Sequence, residues 1–363
     1  MRTRVAIAVA VSAAGCAAPA PQPVDTTPEN PTAVFETVIS STGIGGMFPF
    51  ETTDKHYVRA DMRRDDRSTK GTGTFSGFLV TRLAGPGDTT IARLDRKVLW
   101  ALNNGRKEYT ECPVQGCPVP PREEKAAKPE DRREEPKQKT EEGCVTRIAN
   151  TNFEVKPTGQ KRELNGFNAD QYQATWVVLM QDKEMRSSMS TVKFDIWTTP
   201  VSAQMRQAFD TEAAFGRAYA ANVRTASAAK AAERAVVPPE MMSMMTGYLG
   251  SLSDADRAKF TRAVSELQKI KGHPVSTKVE WFLEGNACGA KEEQAKPAAS
   301  STPSLSMGSL ISGLSGMMAK KEEPAGPKPL MSFSVEVKQL GVQPLRDSVF
   351  LVPASYKLIS KAN

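Results

Sequence analysis

Apolar and polar residues alternate along many stretches of this chain, which is the pattern of strands that bury one face. Turn-forming residues separate several of these stretches, including Gly85-Pro86-Gly87 and Asn103-Asn104-Gly105. The short connections indicate about ten strands in a mostly antiparallel sheet. The predicted strands are 34–42, 56–63, 74–83, 89–95, 97–102, 106–110, 167–181, 189–199, 274–285, 330–342 and 348–352.

Helical spacing of apolar residues is concentrated between residues 201 and 272. The first predicted helix is alanine-rich and covers 201–232, the second begins at Pro238-Pro239, and the third runs from a cap at Ser253 to Gly272. We expect their apolar stripes to pack on the sheet. The stripe residues are Met205, Phe209, Phe215 and Tyr219, then Met241, Met245, Leu249 and Leu252, and finally Phe260, Val264, Leu267 and Ile270.

Two stretches have the composition of insertions in one domain. Residues 118–143 are dominated by Lys, Arg, Asp and Glu without an aromatic residue, and residues 286–329 are rich in Ala, Ser, Pro and Lys. Such segments bury too little apolar area to offset the entropy of ordering. Within the second stretch, one helical face consists of Met307, Leu310, Ile311, Leu314, Met317 and Met318. That face predicts docking on a lipid surface or on a groove of this protein, and a mobile loop is the alternative.

The first fifteen residues have the pattern of an export signal. Arg2 and Arg4 precede an apolar run from Val5 to Ala14, which is shorter than the ~20 residues of a membrane-spanning helix. Small residues then lead to Cys16. This arrangement resembles the bacterial lipobox, except that Ala13 stands where leucine is usual, and it implies a lipid-modified Cys16 after removal of residues 1–15.

The residues after Cys16 are expected to form a flexible tether over 16–32. This stretch is rich in proline and lacks a pattern of buried positions. In the lipoproteins that the chain resembles, aspartate after the cysteine retains the protein in the inner membrane. Ala17 at this position therefore implies attachment to the periplasmic face of the outer membrane.

The charge of the chain is compatible with anionic lipid surfaces. It carries 48 Lys and Arg against 41 Asp and Glu, a formal charge of +7 that becomes +5 without Arg2 and Arg4. No nucleic-acid-binding motif accompanies this charge, so we expect no nucleic-acid partner.

Four cysteines remain after Cys16, namely Cys112, Cys117, Cys144 and Cys288. An even number outside the cytoplasm predicts two disulfides, for which three pairings exist. Pro113-Val114-Gln115-Gly116 suits a tight turn, which favours Cys112–Cys117 with Cys144–Cys288; Cys117–Cys144 is the main rival. His56 and His273 have no metal-like spacing to another ligand, so we expect no metal and no cofactor.

Catalytic motifs are not convincing in this sequence, and we expect no enzyme. The glycines of 71–77 depart from the dinucleotide fingerprint and precede no predicted helix. Ser190 and Lys193 have the spacing of penicillin-binding enzymes, but in a strand they point to opposite faces.

Several motifs in order resemble a group of bacterial exported proteins related to the periplasmic lipoprotein-carrier (LolA-like) fold. They include YVRADMRRDD from Tyr57, the stretch from Thr158-Gly159 to Asn165-Gly166-Phe167, and the ending Val349–Pro353 with Tyr356. The resemblance covers most of 34–356 outside the insertions. It implies an α+β fold in which a strongly curved antiparallel sheet, an open half-barrel, has helices over its concave face.

The expected organisation is a signal peptide 1–15, a tether 16–32 and one domain 33–363 with insertions at 113–143, 201–272 and 286–329. The resemblance implies a hydrophobic cavity that binds lipid or lipoprotein acyl chains, for which Met-rich stripes are well suited. The alternative is a structural or sensing envelope lipoprotein with a filled core and a protein partner. Trp100, Trp176, Trp197 and Trp281 are assigned to the sheet without a site role.

Overall fold

The computed structural model describes residues 25–73, 88–117, 147–223, 266–285, 287 and 327–361, together with residues 77, 78, 81, 82, 85 and 87. Twelve strands lie in this part of the chain. They are β1 (Glu29–Ser41), β2 (Phe50–Val58), β3 (Met62–Gly71), β4 (Asp88–Arg93), β5 (Val98–Asn103), β6 (Glu108–Pro113), β7 (Arg147–Leu164), β8 (Phe167–Gln181), β9 (Ser187–Thr199), β10 (His273–Gly285), β11 (Met331–Arg346) and β12 (Lys357–Lys361).

All twelve strands belong to one sheet, in the order β12-β6-β5-β4-β3-β2-β1-β11-β10-β9-β8-β7. Neighbours are antiparallel except β12, which pairs in parallel with β6. The first strand lies inside the sheet and joins its two halves, because β1 pairs with both β2 and β11. The sheet remains open, with β7 and β12 at its edges.

The prediction of an α+β half-barrel with helices over its concave face is wrong. The part of the chain that the structure describes contains one long helix, α1 (Ala203–Val223), and short 3-10 turns at Leu267–Lys269 and Asp347–Phe350. The predicted helices between 224 and 265 lie outside the described residues. The sheet is also larger than expected, because most of β3 and all of β7 and β12 were not predicted as strands. Strands β3 and β12 lack clear alternation, and that of β7 is confined to residues 151–156.

Strands β8 and β9 show why the alternation was informative elsewhere. Along β8, Ala174, Trp176, Val178 and Met180 are buried, while the residues between them are partly exposed. Strand β8 has the predicted bounds 167–181, and β9 begins two residues before the predicted 189. Burial of one face therefore dictates these two strands.

Three predicted strands have a different structure. The predicted strand 56–63 contains a turn, because β2 ends at Val58 and β3 begins at Met62. Of the predicted strand 74–83, the described residues 77, 78, 81 and 82 are helical. The segment 348–352 begins inside the 3-10 turn Asp347–Phe350, whose Phe350 is fully buried.

The two faces of the sheet are packed by different elements. We call the face that bears Ile39 the back and the face that bears Ser40 the front. Helix α1 covers the back of β1, β2 and β11, with Met205, Ala208 and Phe215 buried against the sheet. Its predicted stripe is therefore core, as expected from its spacing.

The C-terminal segment covers the front of the other half of the sheet. Phe350 packs in one cluster with Ile91, Trp100 and Leu102. Three arginines attach the segment to the sheet by hydrogen bonds. Arg59 donates to the Leu345 carbonyl and the Asp347 carboxylate. Arg64 donates to the Val349 carbonyl, and Arg93 donates to the Phe350 carbonyl. The arginine-rich YVRADMRRDD stretch and the DSVF ending thus form one structural unit.

Candidate functional site

The front of the sheet is polar where β1, β11, β10 and β9 lie side by side. Ser40 pairs with Ser334, Ser334 with Lys278, and Lys278 with Asp195, so these four side chains form one row across the strands on the front face. On the back, the adjacent row of paired residues consists of Ile39, Val335, Thr277 and Ile196. The apolar core of this half of the sheet therefore lies behind a hydrophilic surface.

This surface forms a cleft of about 660 Å³, which we call the serine cleft. Seven of its residues carry hydroxyl groups, and three others are charged. The lining consists of Ser40, Ser41, Thr42, Gly46, Pro49, Phe50, Thr72, Arg162, Asp195, Trp197, Ser276, Lys278, Ser332 and Ser334. Because serine is small, a row of serines across neighbouring strands leaves a trough between taller side chains.

The charged residues of the serine cleft are positioned by contacts with their neighbours. Asp195 accepts a hydrogen bond of 2.7 Å from the amide of Gln171. Lys278 forms an ion pair of 2.7 Å with Glu280 on its own strand. The guanidinium of Arg162 lies 4.3 Å from the ring centre of Trp197, so Arg162 covers the tryptophan at one end of the cleft.

The other end of the cleft is walled by the connection between β1 and β2, residues 42–49. Thr42 N–H and Gly45 N–H donate to the carbonyls of Ser332 and Leu330, which attaches this connection to the start of β11. Gly43 has a positive φ, and a Cβ there would lie 1.6 Å from the Met47 carbonyl oxygen. Only glycine allows this compact wall.

Large apolar side chains are exposed next to this wall. Met47 is 40 % exposed and Phe48 is 50 % exposed at the end of the β1–β2 connection, while Phe78 is 63 % exposed in the connection between β3 and β4. The two connections are adjacent, because Phe50 pairs with Gly71 at the ends of β2 and β3. We call Met47, Phe48 and Phe78 the apolar tips.

The β3–β4 connection is attached to the same end of the sheet. The Thr81 hydroxyl accepts a hydrogen bond from Gly71 N–H and donates one to the Gly77 carbonyl. Thr72, at the start of this connection, lines the serine cleft, as do Thr42 and Gly46 from the other connection. The cleft and the apolar tips therefore share the same two connections.

A second charged cluster lies on the back of the sheet beneath α1. Arg63 binds Asp65 at 2.7 Å and Glu212 of the helix at 2.5 Å, and His56 Nδ1 lies 2.5 Å from Asp65. Burial alone would raise the pKa of Asp65, but the hydrogen bond from His56 and the charge of Arg63 hold it below the usual value. These contacts join α1 to β2 and β3 and serve packing.

The residues that the sequence singled out are dispersed. Cys16, Cys144 and Cys288 lie outside the described residues, as do residues 1–15. Cys112 and Cys117 form a disulfide with their Cα atoms 4.9 Å apart, as the favoured pairing predicted. It closes the end of β6, far from the apolar tips in the order of the sheet.

The tryptophans and the serine–lysine pair have structural contacts. Trp100, Trp176 and Trp281 donate hydrogen bonds to Glu111, Thr151 and Ser190. Ser190 is buried, whereas Lys193 lies over the ring of Phe282, so the two are separated by the sheet. Trp197 is the exception, because it lines the serine cleft.

The serine cleft itself was missed by the sequence analysis. Ser332 and Ser334 stand at alternate positions of one predicted strand, which was the available signal. Within the described residues, no three His, Cys, Asp or Glu side chains are grouped as metal ligands. None of the helices in that same part of the chain has the length and apolarity needed to cross a membrane.

Comparisons with known proteins identify no relative. No family model, no curated protein and no solved structure matches this chain.

Proposed function

We propose that this protein is a non-enzymatic envelope lipoprotein that binds membrane lipid. Lipid on Cys16 anchors it to the periplasmic face of the outer membrane, and the apolar tips provide a second contact with lipid. The observation that carries the proposal is the exposure of Met47, Phe48 and Phe78 on two adjacent connections. Exposed phenylalanine and methionine at the end of a sheet are suited to the boundary between headgroups and acyl chains.

The mode of lipid binding differs from an acyl-chain cavity under helices. Met205, Ala208 and Phe215 of α1 are at most 4 % exposed and pack directly on Ala33, Val58 and Leu340. This close packing occupies the space where an acyl chain would lie beneath α1. The proposal therefore assigns lipid contact to the surface at the end of the sheet.

Nearby charge supports this assignment. Arg82, four residues after Phe78 in the chain, is exposed. Cations beside inserted apolar side chains strengthen attraction to anionic lipid surfaces. The protein as a whole is also basic.

The filled core beneath α1 equally favours the second candidate, an envelope lipoprotein that binds a protein partner. In that case the apolar tips contact a protein rather than lipid. Binding to protein-free vesicles distinguishes the two candidates.

The test is vesicle co-sedimentation of the chain without residues 1–15 and with Cys16→Ser, which carries no lipid. The double variant Met47→Ser/Phe48→Ser should bind vesicles containing phosphatidylglycerol about tenfold more weakly, because two partly buried apolar contacts of roughly 0.7 kcal/mol each are lost.

The matched control is Leu358→Ser/Ile359→Ser, which removes two apolar side chains exposed on the edge strand β12. This control should bind as the parent chain does. Failure of the parent chain to bind vesicles, or equal loss in both double variants, would contradict lipid binding by the tips and favour the protein-partner candidate.

A further inference from the structure

We propose that the serine cleft binds the headgroup of a phospholipid that carries a phosphate and a primary ammonium group, as phosphatidylethanolamine does. This inference rests on the proposed function, because the apolar tips bring the cleft to the lipid surface. It adds a specific site and a ligand class to that function.

The position of the cleft favours a lipid as the source of the headgroup. Gly46 in the wall directly precedes Met47 and Phe48, Thr42 begins the same connection, and Thr72 begins the connection that carries Phe78. When the tips contact the bilayer boundary, the wall of the cleft lies at headgroup depth. A headgroup then enters the cleft while its acyl chains stay in the bilayer.

The chemistry of the floor favours a headgroup with both charges. Asp195 and Lys278 are opposite one another on adjacent strands, at a typical Cβ separation of about 5 Å. The two are not bonded to each other, since Lys278 contacts Glu280 and Asp195 contacts Gln171. An ammonium group near Asp195 and a phosphate near Lys278 would match this charge pair.

The hydroxyl groups complete the site. Ser40, Ser276 and Ser334 surround the charge pair on the same face, and each hydroxyl can donate to a phosphate oxygen or accept from an ammonium group. The volume of about 660 Å³ lies within the range of small-ligand sites, roughly 300–1,000 Å³.

The ammonium contact gives a selective test. Phosphatidylethanolamine and phosphatidylcholine carry the same net charge, but only the primary ammonium of phosphatidylethanolamine donates hydrogen bonds. The unlipidated chain should bind vesicles of phosphatidylethanolamine and phosphatidylglycerol about fivefold more tightly than vesicles with phosphatidylcholine at equal phosphatidylglycerol content.

Two variants should abolish this preference. Asp195→Asn removes the negative charge with little change of shape, and Ser334→Trp fills the trough. Thr175→Trp is the matched control, because Thr175 lies on the front of β8 opposite Lys193 and outside the cleft lining. The control should keep the fivefold preference. Equal binding to both kinds of vesicle by the parent chain, or a preference that survives both cleft variants, would overturn the proposal.

A soluble headgroup separates this proposal from lipid contact by the tips. Glycerophosphoethanolamine, measured by calorimetry, should bind the parent chain and Met47→Ser/Phe48→Ser equally, and bind Asp195→Asn less. Loss of vesicle binding by every chain with retained headgroup binding identifies a free solute as the ligand and overturns the lipid form of the proposal. Absence of headgroup binding together with no vesicle preference rejects the site, even where the tips still bind vesicles.

Discussion

Asp65 illustrates how single residues connect distant parts of the chain. Its carboxylate lies on β3 between His56 of β2 and Arg63, and Arg63 reaches Glu212 of α1, 149 residues away. Alternation within a strand predicts which face a residue occupies, but it contains no information on such long-range ion pairs. A shared role for these residues was therefore not predictable from the sequence.

The lowered pKa of Asp65 predicts a specific loss of stability in acid. Because the folded pKa lies below the unfolded value near 3.9, the contribution of Asp65 is complete above about pH 5 and is lost as pH falls toward the folded pKa. Asp65→Asn should lower the free energy of unfolding at pH 7 by about 1–3 kcal/mol. The variant should also show a shallower decline between pH 5 and 3.

Urea unfolding measured across this pH range checks the prediction. Asp170→Asn is the control, because the Asp170 side chain is half exposed and contacts Lys161 at 3.4 Å. Its effect should be below about 1 kcal/mol. If Asp65→Asn and the parent chain decline in parallel with acid, the hydrogen bond from His56 and the charge of Arg63 do not set the pKa of Asp65.

At the scale of elements, the success of prediction follows burial on a single face. Strands β8 and β9 each have one buried face and were located closely. Strand β7 lies at an edge and most of its residues are exposed, so its period-2 signal is short: Phe153 and Val155 alternate with the exposed Asn152, Glu154 and Lys156. The turn at Arg59–Asp61 was missed because Val58, Ala60 and Met62 continue the apolar alternation through it.

Helix α1 provides the element-scale prediction. Ala208 is fully buried between the helix and the sheet, so there is no space for a larger side chain at this position. Ala208→Leu should reduce the free energy of unfolding by about 1–3 kcal/mol. Thermal or urea unfolding measures this change.

The control is Ala213→Leu, at an exposed position of the same helix. Alanine and leucine have similar helix propensities, so the control should change stability by less than about 0.5 kcal/mol. Unchanged stability in Ala208→Leu would show that the interface under α1 accommodates a larger group, and an acyl-chain site there would return as a candidate.

At the scale of the whole molecule, the cleft depends on pairing between the two ends of the domain. Ser40 of β1 and Ser334 of β11 are neighbours only because the first strand lies beside the eleventh. The sequence indicates which residues of each strand share a face, but the order of strands is not encoded in local spacing. The individual strands were therefore largely predictable, while the cleft was not.

The two proposed lipid contacts also restrict how the domain lies on a membrane. Asp25 is bonded to Ser348 and Thr27 at the start of β1, whereas the apolar tips follow the end of β1. The nine residues from Cys16 to Asp25 reach at most about 30 Å, and β1 itself spans about 40 Å. When both contacts are made on one bilayer, the start of β1 can lie no more than about 30 Å above the membrane. Strand β1 and its neighbours are therefore inclined to the membrane plane by no more than about 50°.

Polarised infrared dichroism of the lipidated protein on a supported bilayer tests this geometry. The strands of the parent protein should lie within about 50° of the membrane plane. Met47→Ser/Phe48→Ser retains the lipid on Cys16 but loses the second contact, so the same measurement should show a broad distribution of strand orientations. A glycine- and serine-rich insertion of about twenty residues after Ala20 adds roughly 25 Å of flexible reach and should relax the limit while the tips remain bound. Strands aligned with the normal in the parent protein would mean that the tips point away from the anchoring membrane, and their partner would then have to be a protein or a second membrane.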